Sequence, residues 1–201
     1  MPRYKQDTRD NAMNETRTRL MSAAVIEFAS KGYAEANINR ISETAGFAKG
    51  TVYNYFPSKQ ALMLALITKV GAFHLVFIGE QVRKDESAAG RLERFLAAGF
   101  EFVENHPAEA RFLITTLYGA DNEFKMAMYE AYLPMFRLVG EDIVTFGIRQ
   151  GVFKESDPIR TAALLMTLYL GTSSNVDQGG KVWLKSSEVA QFALQALQKI
   201  E

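Results

Sequence analysis

The chain has 201 residues, 48% of them hydrophobic and 23% charged, which is enough apolar material for a core and too much for a disordered polypeptide. It has no cysteine, so disulfides, thiolate metal sites and cysteine nucleophiles are excluded, and a reducing, cytoplasmic location is expected. Formal net charge is zero but unevenly spread: residues 1–60 carry 9 Lys+Arg against 6 Asp+Glu (+3) and residues 61–201 carry 14 against 17 (−3), so a polyanion would meet the N-terminal end.

The opening MPRYKQDTRDNAMN is charged throughout and lacks the apolar run of a secretory signal; residues 1–14 read as a flexible arm. Apolar residues then recur at three and four, glycine and proline stay out of long stretches, and β-branched alternation is nearly absent, so the expected fold is all-α. Leu20, Ala24 and Phe28 make the stripe of a first helix that Gly32 ends. Asn37 caps a short second helix with Ile38, Ile41 and Ala45 inward and Gly46 as its stop. Residues 49–55 form a third, with Val52 inward and Phe56 just beyond, before Pro57-Ser58 punctuates the chain.

From Lys59 the helices become long and apolar. The first carries Ala61, Leu62, Ala65, Leu66, Val70, Phe73 and Phe77 and runs to about Lys84; others are expected at 87–104, 107–118, 122–150, 158–176 and 187–200. Pro107 and Asp157-Pro158 mark helix starts, Pro134 should kink its helix, and Gly179-Gly180 marks the loop before the last one. Ala162 to Gly171 is apolar nearly all round but falls well short of the ~20 residues that cross a bilayer, so no membrane is expected. Val189, Phe192, Ala193, Ala196, Leu197 and Ile200 share one face of the last helix.

Residues 38–56 fit a helix-turn-helix, in which one helix braces a second whose exposed side chains enter the major groove. With Val52 and Phe56 inward, Lys49, Thr51 and Tyr53 turn outward, presenting a cation, a hydroxyl and a phenol to phosphates and base edges. Tyr53 and Tyr55 would serve equally well as cover for a small core with their hydroxyls in water.

The string Phe47-Ala48-Lys49-Gly50-Thr51-Val52-Tyr53-Asn54-Tyr55-Phe56-Pro57-Ser58-Lys59, preceded by Ile41 to Gly46 and by Phe28 to Tyr33, resembles the N-terminal signature of the TetR family over about residues 15–65. The resemblance implies a three-helix DNA-binding domain at 15–58 and a ligand-sensing and dimerisation domain at 59–201. It also implies that Asn39 and Arg40 lie near double-stranded operator DNA, that Lys49, Gly50, Thr51 and Tyr53 meet bases or phosphates, and that Tyr55 and Lys59 clamp the backbone. Lys59 opens a helix whose free N–H groups favour a phosphate. Two departures stand out: Ala48 replaces a frequent serine and cannot cap the recognition helix, and Asn37 replaces a frequent threonine. A homodimer through the last two helices is implied as well, as a palindromic operator requires.

The helices beyond residue 70 hold more aromatic and phenolic groups than a small core needs. Phe73, His74, Phe77, Phe102, Tyr118, Tyr132, Phe136 and Tyr169 are the candidates to line an apolar effector pocket with a few polar anchors, although core packing suits each one singly. His74 and His106 have no partner at metal-ligand spacing, and Gly179-Gly180-Lys181 lacks the remainder of a phosphate loop, so neither metal nor cofactor is expected. The expected function is a ligand-responsive regulator, a repressor released by a small apolar or aromatic molecule. A helical adaptor, or a helical enzyme without a recognisable catalytic motif, are the alternatives.

Overall fold

The computed structural model describes residues 3–199. These form nine α-helices: α1 (Arg3–Glu35), α2 (Ile38–Thr44), α3 (Lys59–Val82), α4 (Ala88–Asn105), α5 (Pro107–Leu117), α6 (Asn122–Arg137), α7 (Phe146–Arg149), α8 (Pro158–Ser173) and α9 (Ser186–Leu197). A short 3-10 turn, Thr51–Asn54, stands between α2 and α3, and a π-helical segment, Leu138–Thr145, joins α6 to α7.

The ends of the elements follow local chemistry. Asn37 accepts the Asn39 N–H at 2.9 Å, Ser58 accepts from Ala61 at 3.0 Å, and Asp157 accepts from Ile159 at 2.9 Å, each satisfying a donor that the helix leaves unpaired. Gly32, at φ 71, breaks α1 where a left-handed residue was expected, and one further turn follows to Glu35. Towards the N-terminus α1 begins at Arg3, so residues 3–14 continue the helix. No glycine or proline interrupts the sequence from Arg3 to Lys31, and polar residues are ordinary on a helix. The expected 49–55 helix is only the 3-10 turn, because Gly50 is left-handed at φ 87 and prevents an earlier start.

The core is centred on α3, which packs broadly against α4 and α6, while α5 lies along α1 and α9 covers α4. Leu62, Leu66, Val70, His74 and Ile78 follow one another down the buried side of α3. Among the described residues α3 is the one helix long and apolar enough to cross a bilayer, more so than 162–171; here one side of it is buried against neighbouring helices, while Phe73 and Val76 are exposed. The helix expected over 122–150 is an unbroken helical run in three parts. α6 continues through Pro134, and the hydrogen bonding widens to π spacing from Leu138, where the Thr145 hydroxyl donates five residues back to the Gly140 carbonyl at 2.8 Å.

The face expected for the last helix is divided. Val189, Ala193 and Leu197 are buried with Ala190, whereas Phe192 is 65% exposed and Ala196 is also exposed. Ile200 lies outside the described residues. On α8, Ile159 and Leu164 are 79% and 71% exposed while Leu165, Met166 and Tyr169 are buried. The last two helices therefore bury one side within the subunit and leave a second apolar side bare.

Tyr169 reaches its place because α4 has a glycine opposite it. A Cβ at Gly99 would overlap the Tyr169 ring. Gly99→Ala is therefore expected to destabilise the protein by ~1–3 kcal/mol through overpacking, although alanine is the better helix former by ~1 kcal/mol. Urea unfolding at fixed protein concentration checks this, and an unchanged or raised midpoint would show that the ring has room to move.

Candidate functional site

The N-terminal unit is assembled by charged side chains of α1. The Arg19 guanidinium donates to the Ala45 carbonyl at 2.7 Å and lies 4.7 Å from the Phe47 ring centroid, clamping the end of α2. Gly46 passes beneath it at φ 77, and a Cβ there would come within 2.8 Å of Arg19 Nη2. Glu27, nearly buried, accepts the Asn37 N–H at 3.1 Å with one oxygen and pairs with Arg40 at 3.6 Å with the other. Val52 and Phe56 are buried under the turn that follows. Neither Arg19 nor Glu27 was singled out from the sequence; the available signal was a charge beside the Leu20–Ala24–Phe28 stripe.

None of the eight residues assigned to DNA is buried. Lys49, Gly50, Thr51 and Tyr53 occupy one turn, with Lys49 exposed and Tyr53 53% exposed. Thr51 donates its hydroxyl proton to the Ala48 carbonyl at 2.7 Å, and the turn has no side-chain cap. Asn39 and Arg40 sit on the first turn of α2, half-buried and exposed respectively, and Tyr55 is half-buried beyond the recognition turn. Lys59 is more tied down than a surface lysine. Its ammonium donates to the Ala34 carbonyl at 3.0 Å and lies 5.0 Å from the Tyr33 ring centroid. Partial burial lowers its pKa from the ordinary lysine value, against the opposing pull of Glu27. An ammonium has three donors, so this arrangement leaves protons for a phosphate.

The second site is a cavity of about 390 Å³ inside the C-terminal body. His74 from α3, Phe102 from α4, Tyr132 from α6 and Tyr169 from α8 line it, and Pro107 and Arg111 of α5 stand with Val176 and Gly180 of the α8–α9 loop elsewhere on its wall. An apolar pocket of about 50 Å³ adjoins it, sharing Leu113, Ile114, Tyr132 and Leu170 and adding Phe136. Two larger clefts of about 570 Å³ have walls bearing the polar groups of exposed helix faces, such as Gln191 and Gln195 in one and Lys31 and Asp121 in the other. The 390 Å³ cavity better fits a ligand site, being apolar with a few convergent polar groups.

Those polar groups meet at His74. Its Nδ1 is 2.6 Å from the Tyr132 hydroxyl and its Nε2 is 2.9 Å from the Tyr169 hydroxyl. Burial pushes the imidazole pKa down to about 3 and keeps the ring neutral. Burial likewise raises the Tyr132 phenol well above its ordinary value, and the Tyr169 phenol rises too, against a partly offsetting hydrogen bond from Ser173.

Four of the eight expected ligand residues thus converge on the main cavity, and Phe136 lines only the smaller pocket. Phe73 and Phe77 do not line either. They pack with Phe102 around the His106 ring, at centroid distances of 4.8, 5.7 and 5.1 Å. Tyr118 is 67% exposed at the end of α5 and lines neither pocket. Nothing in the sequence marks Arg111 or Ser173, since an arginine on an amphipathic helix and a serine near a helix end are ordinary.

Comparison with known proteins bears on both sites. Residues 20–66, from the core stripe of α1 to the first turns of α3, match the family model for bacterial regulatory proteins of the tetR family. Over that span the chain carries the N-terminal domain of the tetR family of bacterial regulatory proteins. The fatty acid metabolism regulator protein of Bacillus subtilis (strain 168) is 24% identical to it over 170 residues, 84% of each chain. The crystal structure of FadR from Bacillus subtilis in complex with stearoyl-CoA shares the fold at a TM-score of 0.77 and 20% identity, covering 90% of this chain and 100% of that one. AibR in complex with isovaleryl coenzyme A and operator DNA matches at 0.73 and 15%, covering 92% and 98%. At 20% and 15% identity the two solved structures show that the fold of the whole chain is shared.

Two measurements follow from the geometry. Lys59→Ala should weaken DNA about uniformly across sequences and reduce the salt slope by about one, whereas Lys49→Ala and Thr51→Ala should also change sequence preference; equal losses on specific and random DNA for all three would remove the recognition turn from the interface. For His74, the folded pKa lies below the unfolded one, so between about 3 and 6.5 the unfolded chain binds more protons. Stability should then rise with pH across that window, with a slope from this group approaching ~1.4 kcal/mol per pH unit. The difference in urea midpoint between pH 5 and pH 7 should shrink in His74→Gln, and an unchanged difference would place the imidazole in contact with water.

Proposed function

We propose that the protein is a repressor that binds a palindromic operator as a homodimer in the cytoplasm and is released by a small, largely apolar effector held in the 390 Å³ cavity. The observation that carries this reading is the path of α3. It opens at Lys59, against Tyr33 and Ala34 of the DNA-binding unit, and brings His74 to the cavity about 15 residues, or ~22 Å, further on. One element thus touches both sites. FadR and AibR, which share the fold, are complexed with CoA thioesters, and this makes acyl compounds the first effector class to test.

The dimer rests on the bare side of the last two helices. Leu164 on α8 and Phe192 on α9 are each well over half exposed, and a short recognition turn reads too few base pairs alone for affinities of ~10⁻⁸–10⁻¹¹ M. Two such turns should meet half-sites about 34–36 Å apart. Replacing Leu164 and Phe192 together by glutamate is expected to give a folded monomer that no longer shifts operator DNA. Leu197, which faces α4, is unsuited to that test. If sedimentation still shows a dimer that binds operator, the interface lies elsewhere. In a mobility shift with the promoter nearest its own gene, an effector of the proposed kind should release the wild-type protein. By linkage, operator must weaken the effector by the same factor that the effector weakens operator. Equal effector affinities with and without operator would refute the coupling.

A further inference from the structure

A neutral imidazole has one N–H and one lone pair, so of the two hydroxyls that flank His74 one must donate to it and the other must accept. Two arrangements meet this condition. In the first, Tyr132 donates to Nδ1, Nε2–H donates to Tyr169, and Tyr169 turns its own proton to the Gly99 carbonyl at 3.4 Å. Every proton then has a partner. In the second, Tyr169 donates to Nε2 and Nδ1–H donates to Tyr132, whose O–H is left without an acceptor, since His74 is the one partner of that oxygen among the described residues. An unpaired hydroxyl against apolar walls is costly, so of the pairings available within the chain the first is favoured. Tyr132, however, lines the cavity, where a ligand acceptor beside its oxygen would pair that proton.

We propose that Tyr132, His74 and Tyr169 are a reversible hydrogen-bond relay that selects an effector bearing an uncharged acceptor, a ketone, ester or thioester carbonyl set in an apolar body, by changing His74 from the Nε2–H to the Nδ1–H tautomer. The proposal rests on the reading of the cavity as the effector site. Proton number is conserved: Nε2 gives a proton to water, Nδ1 takes one from water, and the two hydroxyls rotate. The acceptor must be uncharged because nothing beside the relay can balance a carboxylate. The imidazole stays neutral, both phenols keep their protons, and the one cation on the cavity wall among the described residues is Arg111, which is exposed to solvent. At the ~30 Å³ that a water occupies in the liquid, the cavity has room for about a dozen non-hydrogen atoms, so eight-carbon probes fit.

The test uses the full chain with ¹⁵N-labelled histidine and three probes: 2-octanone, octane and octanoate. The free protein should show His74 as the Nε2–H tautomer; 2-octanone should convert it to Nδ1–H, and octane should bind without converting it. Octanoate at pH 7 should bind at least about tenfold more weakly than 2-octanone. Tyr132→Phe should weaken 2-octanone about tenfold while leaving octane within about twofold, which also shows that the variant keeps its fold and cavity. A ketone that binds with the Nε2–H tautomer retained, an Nδ1–H tautomer already present in the free protein, or octanoate binding as tightly as 2-octanone would overturn the relay while leaving the cavity as effector site. Failure of both octane and 2-octanone to bind would overturn the effector site itself, and the relay with it.

Discussion

His74 is a polar ring inside an apolar bundle, and an unpaired imidazole nitrogen there would be as costly as a broken hydrogen bond. Its two nitrogens therefore require partners from elsewhere in the chain, and these come from α6 and α8. Packing of aliphatic side chains alone tolerates sliding and rotation between helices, whereas two hydrogen bonds below 3 Å do not. The same requirement reaches α4, where only a glycine at 99 leaves space for the ring that carries the Tyr169 hydroxyl. Four helices of the sensing body are thus set in register around one residue of α3. The cavity lies beside that point, with His74, Tyr132 and Tyr169 all on its wall.

Two packed paths join this point to the N-terminal unit. The first is α3 itself. The second is α5, whose Ala110, Leu113 and Ile114 line the cavity and which packs along α1. Beyond the end of α5, Phe124 meets the Tyr33 ring edge-on at 4.5 Å, and Glu123 accepts from Gln60 at 2.8 Å. Tyr33 also carries the Lys59 ammonium on its face. Both routes therefore end at the same few residues, the last turn of α1 and the first turn of α3, and a displacement by either is felt by Lys59.

The helical ends and the small N-terminal core were legible in the sequence because they are fixed locally: Asn37, Gly46, Pro107 and Asp157 act within a few residues of themselves. Gly50 was legible as part of a motif, yet its left-handed backbone, which shortens the recognition helix to a single turn, is a conformation that glycine permits and does not impose. Inward and outward positions on α3 were harder. Phe73, His74 and Phe77 are all plausible core residues by type, and which of them faces the cavity depends on where α6 and α8 pack, a matter of partners 58 and 95 residues away. The same holds for α9, where Phe192 and Leu197 are both apolar and only the position of α4 decides that one is buried and the other bare.

Burial of an apolar effector supplies affinity but not by itself a response, since a ligand that binds both arrangements of the dimer equally shifts neither. The differential energy has to appear in contacts that differ between the arrangements, and those joining the sensing body to the DNA-binding unit are the ones available. An aromatic pair such as Tyr33 and Phe124 is worth ~0.5–1.5 kcal/mol. An exposed hydrogen bond to a carboxylate, as between Gln60 and Glu123, adds no more than about 1 kcal/mol once water competes for both groups. Their sum is about 0.5–2.5 kcal/mol for one subunit, and a symmetric dimer has the set twice, giving ~1–5 kcal/mol. A hundredfold change in operator affinity requires ~2.7 kcal/mol. The latch at the end of α5 is therefore of the right size to carry the whole response when both subunits release together, and too small to do so when only one does, so that occupation of a single cavity should leave most of the operator affinity in place.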